Sequence, residues 1–193
     1  MMTTVCLIRH GETDWNSIGM LQGRKDVPLN EAGILHAKQC RQVLKSSQWD
    51  VVITSPLKRA KQTATIINEK LDVPFIEMVD FVERDFGLAE GMTYDERNSK
   101  FPNRSYPKQE ERISFHKRVM EGLNSINHRY VDNKILLVAH GGVINAILDE
   151  LSNGKIGSEK TDLLNGCMSN IFMQEGKWFI KDYNQISHLS MNN

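Results

Sequence analysis

The sequence predicts an α/β fold in three layers, with a mostly parallel central sheet covered by helices on both faces. Two observations carry this prediction. The runs Val5-Cys6-Leu7-Ile8, Val51-Val52-Ile53 and Ile135-Leu136-Leu137-Val138-Ala139 are short and continuously apolar, as strands buried on both faces must be. Amphipathic helical patterns alternate with them, the order that builds parallel sheets. With 193 residues, 40% hydrophobic and 25% charged, the chain reads as one domain spanning residues 1–193 and able to bury a core. It shows no internal repeat, low-complexity tract or linker.

Each element has a local reason. After the first strand and an irregular stretch, Asn30 is placed to cap a helix beginning at Glu31, with Leu35, Val43 and Leu44 on its expected buried face. Ser55-Pro56 is expected to open the next helix, since a proline in the first turn loses no hydrogen bond. That helix runs to about residue 71 on a stripe of Ala60, Ala64, Ile67 and Leu71. Phe75-Ile76-Glu77-Met78 is a weaker strand. Residues 80–107, polar and broken by Gly87, Gly91, Pro102 and Pro107, read as a cap excursion with a short helix near 93–100. Residues 110–131 form the longest helical pattern, and another helix spans about 143–151. Met168 to Met173 and Trp178 to Asp182 alternate around Glu175-Gly176, the pattern of an edge hairpin.

Composition excludes several classes. The 24 basic and 24 acidic side chains cancel, so the chain lacks the broad basic field of a nucleic-acid binder. No apolar run reaches membrane-spanning length, and the N-terminal segment lacks the basic region of a signal peptide. Cys6, Cys40 and Cys167 are odd in number and widely spaced, which suits reduced thiols in a cytoplasmic protein.

Two of the best strands end alike. Val5 to Ile8 runs into Arg9-His10-Gly11, and Leu136 to Ala139 runs into His140-Gly141-Gly142. Ligands of open parallel sheets bind beyond the carboxyl ends of the strands, so both histidines can share one site. The Val51 strand ends at Thr54-Ser55 with Arg59 just downstream, adding a second guanidinium. Guanidinium forks match phosphate oxygens, and glycines beside each histidine let backbone N–H groups approach an anion. Nearby arginines disfavour a protonated imidazole, keeping it nucleophilic. The same arginines repel cations, and no close ligand pair of the His-x-x-x-His kind occurs, so neither metal nor cofactor is expected.

Arg9-His10-Gly11-Glu12-Thr13 resembles the signature of the histidine phosphatase superfamily, also called phosphoglycerate mutase-like. The likeness covers nearly the whole chain. Three further segments resemble family motifs in the family's order: 21–33, beginning Leu21-Gln22-Gly23-Arg24; 55–64, Ser55 through Arg59 to Ala64; and Ala139-His140-Gly141-Gly142. The resemblance implies a phosphoglycerate mutase-like fold and a set of roles. His10 would attack phosphorus and become phosphohistidine. Arg9, Arg59 and His140 would cradle the phosphoryl oxygens with Asn16 and Gly141. Gln22 and Gly23 would border the substrate. Glu83, preferred over Asp80, Asp85 and Glu90, would protonate the leaving oxygen and later activate water. The chain departs from common family patterns at Ala89-Glu90-Gly91, where tryptophan often precedes the Glu-Gly pair, and at Glu110-Glu111, where a Gly-Glu pair is common. Both departures bear on the shape of the cap.

The expected activity is hydrolysis of small-molecule phosphate monoesters. Mutases of this kind carry paired arginines and an asparagine near the second histidine motif; here Arg97, Arg104 and Arg112 are separated and Gly142 stands instead. A neutral, partly apolar cap would also hold a bisphosphate poorly. Phosphoglycerate mutase is therefore the first alternative, and a catalytically silent phosphate-binding module the second. The remaining His36, His116, His128 and His188 are expected to be structural or superficial, Arg41 and Arg84 solvated, and the tryptophans packing residues, with Trp15 closest to the site. The sequence does not specify an oligomeric state.

Overall fold

The computed structural model describes residues 2–158 and 160–189. Among the described residues, six strands form a single sheet in the order β3-β2-β4-β1-β5-β6. They are β1 (Thr4–Arg9), β2 (Val51–Thr54), β3 (Phe75–Glu77), β4 (Lys134–Ala139), β5 (Met168–Gln174) and β6 (Lys177–Gln185). The first four are mutually parallel, and β5 and β6 form the antiparallel edge hairpin. Its turn uses left-handed backbone at Glu175 (φ 51°) and Gly176 (φ 74°), the geometry that matches the twist of paired strands.

Strand pleating divides the core into two layers. Val5 and Leu7 point to one face, where α5 (Arg112–Arg129) and α6 (Gly141–Leu151) pack through Phe115, Val119, Leu123 and Ile144. Cys6 and Ile8 point to the other, toward α2 (Glu31–Leu44) and α3 (Lys58–Asn68) through Cys40, Leu44, Ala60, Ala64 and Ile67. The expected three-layer arrangement is therefore present, as a mixed, mostly parallel sheet.

Asn30 caps α2 as expected, its side chain accepting the Gly33 N–H at 2.8 Å. The buried face of α2 differs from the expectation. Leu44 is buried as expected, but Leu35 and Val43 are 40% and 43% exposed, and Gly33, Ala37 and Cys40 are buried in their place. The small residues win because α2 lies close against the loop after β1. A Cβ on Gly33 would overlap the Glu12 carbonyl, and one on Gly11 would overlap the Gly33 carbonyl. Pro56 does not open α3, which begins at Lys58 after Leu57, and Leu71 falls beyond its end. α6 starts at Gly141, two residues earlier than expected.

Between β3 and α5 the chain makes two single-turn 3-10 helices, at Val79–Phe81 and Gly87–Ala89, and then α4 (Tyr94–Lys100), the fourth α-helix when the short α1 (Asp14–Ser17) is counted. Thr93 and Glu96 close a capping box at the start of α4. No helix of the described residues is long and apolar enough to cross a membrane.

Candidate active site

Register brings the motif residues level. Ile8 of β1 pairs with Val138 of β4, and Thr54 of β2 pairs with the same Val138. The next residues of three adjacent strands, from Arg9-His10, His140 and Ser55, thus emerge at one edge. The His10 N–H bonds the Ala139 carbonyl at 3.0 Å, and the Ser55 N–H bonds that of Val138 at 3.1 Å.

His10 is held in one tautomer from both sides. Its Nδ1 lies 2.7 Å from the Gly11 carbonyl, which only accepts, so Nδ1 carries the proton. Arg59 Nε donates to Nε2 at 3.2 Å, so Nε2 carries a lone pair. Burial, reinforced by the charges of Arg59 and Arg9, holds the His10 imidazole well below its ordinary pKa. The ring is therefore neutral at pH 7. Around it, the Gly11 N–H bonds Thr63 Oγ1 at 3.0 Å, and Asn165 Nδ2 donates to the His10 carbonyl at 3.0 Å.

Arg59 is 1% exposed, and its guanidinium is aimed by carbonyls of the loop after α1. Nη2 donates to Gly23 at 2.7 Å and Nη1 to Lys25 at 2.8 Å. Burial brings Arg59 down to about 10, leaving it a cation at neutral pH. Arg9 donates to the Leu163 carbonyl through Nη1, while its buried Nε has no partner among the described residues. His140 is fully buried, with its ring centroid 5.2 Å from that of His10. Burial first, then Arg59, His10 and Arg9, keep it neutral too.

The His140 tautomer follows from Ser55. His140 Nε2 and Ser55 Oγ are 2.8 Å apart, and Oγ already accepts the Leu57 N–H at 3.3 Å. Among the described residues the Ser55 hydroxyl proton has no other acceptor, so it is donated to Nε2 and the His140 proton sits on Nδ1. That Nδ1–H is itself without a partner among the described residues. Unpaired buried donors cost free energy unless something accepts from them, and an anion would satisfy both Arg9 Nε and His140 Nδ1.

Glu83 is fixed across the pocket by two backbone donors. Its Oε2 accepts the Gly142 N–H at 2.9 Å and its Oε1 the Arg84 N–H at 2.8 Å. A Cβ on residue 142 would overlap the carboxyl, so glycine there lets Glu83 approach. Behind it, Arg118 ties the carbonyls of Asp80, Val82 and Glu83 to the Glu110 carboxylate. The neighbouring carboxyls are engaged elsewhere. Glu90 accepts N–H bonds from Arg24 and Phe86, and Asp85 accepts that of Gly87.

His10, Arg9, Arg59 and Glu83 line one cavity of about 650 Å³; the buried His140 is not among the residues that line it, although its ring lies 5.2 Å from that of His10. Asn16, Gln22, Gly23 and Gly141 line the cavity as well. Asn16 spends its carbonyl on the Thr13 cap of α1, leaving its amide N–H groups for a ligand; the buried Gln22 Oε1 has no partner among the described residues. Gly23 contributes its carbonyl to Arg59, from a left-handed conformation (φ 52°) that suits glycine.

Sequence reasoning missed several neighbours. Ser55 and Thr63 lay within a recognised motif without a role, and Asn165 sits in an irregular Asn-Gly turn far along the chain. The expectation of a neutral cap is corrected: Arg97 and Arg104, separated in sequence, both face the cavity. Arg84 is half-buried, donating to the Glu110 carbonyl at 3.0 Å and lying over Phe86, and Arg41 pairs with Glu69. Phe81 belongs to the core, whereas Phe86 reaches the cavity. Among the described residues, no group of three His, Cys, Asp or Glu side chains could hold a metal ion.

The chain is similar to known proteins along nearly its whole length. The chain is 50% identical over 189 residues to the Bacillus subtilis (strain 168) protein named "Uncharacterized phosphatase PhoE", covering 98% of both. It is 32% identical to the "Metal-independent phosphoserine phosphatase" of Arabidopsis thaliana, over 98% of this chain and 84% of the relative. Among solved structures, Bacillus stearothermophilus YhfR superposes with a TM-score of 0.91 at 25% identity, over 97% of this chain and all of that one, 100%. The pattern of the histidine phosphatase superfamily, branch 1, matches residues 5–186, and the chain belongs to that family.

Proposed function

We propose that this protein is a phosphatase that hydrolyses small-molecule phosphate monoesters through a phosphohistidine on His10, within a single domain whose cap spans residues 80–107. The supporting observation is the His10 ring itself: neutral, anchored at Nδ1 by the Gly11 carbonyl, with Nε2 set among guanidiniums and Glu83 lining the same cavity. The ester phosphate sits against Arg9, Arg59 and the His140 Nδ1–H. Arg59 Nε turns from Nε2 to a phosphoryl oxygen, freeing the lone pair. Nε2 attacks phosphorus, the P–O bond to the leaving group breaks, and protonated Glu83 gives its proton to the departing oxygen. Water then attacks the phosphohistidine, Glu83 takes the proton from it, and inorganic phosphate leaves with His10 restored. Charge neutralisation comes from arginines, so turnover is expected to persist with chelator present.

Arg97 and Arg104 at the cavity favour one rival, phosphoryl transfer by a mutase acting on a carboxylated ester. Interconversion of 2- and 3-phosphoglycerate, stimulated by the bisphosphate, would establish it over hydrolysis. For the hydrolase, His10→Ala abolishes both turnover and acid-quenched phosphoenzyme. Full activity in that variant would refute the assignment, and phosphate binding without turnover by the wild type would identify a silent binding module.

A further inference from the structure

A second, smaller cavity of about 250 Å³ opens beside the first. The two share Phe86, Arg104, Gly142 and Ser158 in their walls, so they are contiguous. Gly142 is also the residue whose N–H holds Glu83 Oε2 at 2.9 Å. If Glu83 protonates the leaving oxygen, the leaving group lies on the Glu83 side of the phosphate, which is the side of this smaller cavity.

Its walls combine two chemistries. Rings come from Phe86, Tyr106 and Phe115, with Phe86 and Tyr106 edge to face at 6.3 Å. Positive charge comes from Arg84, Arg104 and Arg112, and no described lining residue is acidic. Arg84 lies over the Phe86 ring, 5.5 Å from its centroid, so a guanidinium and an aromatic edge face the same space. Arg112 is 58% exposed, and its contact with Asp149 is long, at 3.9 Å, leaving most of its donors available. The His116 pKa is lowered first by burial and then by the charge of Arg112, against the opposing pull of Asp149 and Glu150. The cavity can take one six-membered ring with a small substituent, and it rewards negative charge on that substituent.

Resting on the phosphatase reading, we infer that this side cavity is a leaving-group subsite selecting phosphate esters of flat, aromatic alcohols that carry a second negative charge. The ring stacks among Phe86, Tyr106 and Phe115, and the charge meets Arg112 and Arg104. The separated arginines of the cap thus work together only in three dimensions, on the leaving group and away from the phosphoryl cradle.

The test compares kcat/KM for para-carboxyphenyl phosphate, its neutral isostere para-carbamoylphenyl phosphate, and the non-aromatic phosphoglycolate. The carboxyphenyl ester is expected to exceed its neutral carbamoyl isostere by about tenfold, the worth of one charge-assisted contact, and to exceed phosphoglycolate, which carries the charge without the ring. In Arg112→Ala the carboxyphenyl to carbamoylphenyl ratio falls toward one. Equal rates on the charged and neutral aryl esters, or a ratio unchanged in Arg112→Ala, would overturn the subsite. Phosphoglycolate equal to or better than the carboxyphenyl ester would overturn its aromatic character. Calorimetry of para-hydroxybenzoate in saturating inorganic phosphate separates the two proposals. Binding that weakens in Arg112→Ala supports the subsite even if no ester is turned over, whereas absence of binding counts against it whatever the hydrolase assay shows.

Discussion

Replacing Ser55 with alanine isolates the control of a single proton. The Ser55 hydroxyl is fully buried and donates to His140 Nε2 at 2.8 Å, which leaves the His140 proton on Nδ1. Alanine removes the donor and strands a buried ring nitrogen, at a cost of about 1–3 kcal/mol. In a chain of this size each kcal/mol lowers Tm by about 2–4 °C, so a fall of about 2–12 °C is expected. The catalytic effect is distinct from this. The Nδ1–H tautomer loses the net value of one hydrogen bond, about 1–1.5 kcal/mol, so kcat/KM falls by up to about tenfold. Removing the ring with His140→Ala deletes the donor outright and costs about a hundredfold or more. Because Ser55 acts through His140, the double variant is expected to be no slower than His140→Ala. Long-range proton–nitrogen spectra of histidine-labelled protein report the tautomer directly. Wild-type protein with the His140 proton on Nε2 would refute the reasoning, as would a double variant another tenfold slower than His140→Ala.

Three further outcomes follow from the same geometry. Glu83→Gln keeps the size and the Gly142 contact but cannot exchange the proton, so kcat is expected to drop by about 10²–10⁴, with poor leaving groups affected most. Equal losses for nitrophenyl and alkyl esters would contradict a proton-donor role. Stability should decline in mild acid. His10 and His140 are neutral in the folded chain with lowered pKa values, whereas the unfolded chain protonates both below about pH 6.5. Their contribution is full above that pH, and together they lose about 2–3 kcal/mol between pH 7.5 and 5.5. Urea titrations across this range measure it, and a slope smaller by about that amount in His10→Ala/His140→Ala protein checks the source, since His36, His116 and His188, also lowered, keep their share. Gly33→Ala forces a methyl into the Glu12 carbonyl, so α2 or the His10 loop must move; a loss of about 1–3 kcal/mol with reduced kcat is expected. Unchanged melting would show that the approach of Gly11 and Gly33 is not required.

The sequence by itself determined the sheet and its functional edge. Short continuous apolar runs such as Ile135 to Ala139, alternating with amphipathic helical patterns, suit buried parallel strands, and a histidine directly after such a strand emerges at the carboxyl edge. His10, His140 and Arg59 were legible for that reason, because strand and helix starts fix their positions locally. The face of α2 was not legible. Leu35 and Val43 are more hydrophobic than Gly33 and Ala37, yet close approach to Gly11 turned the small residues inward. Glu83 could be ranked among neighbouring carboxyls only through the family resemblance. Its position depends on the Gly142 N–H, 59 residues away, and on Arg118 holding the chain behind it. The cap was least legible of all. Arg84, Arg104 and Arg112 look scattered along a polar stretch, and their shared cavity arises only when the cap folds back onto α5 and α6. Periodicity records which way one element faces, but contacts between distant loops leave no period, so only the tertiary structure decided how phosphate site and cap meet.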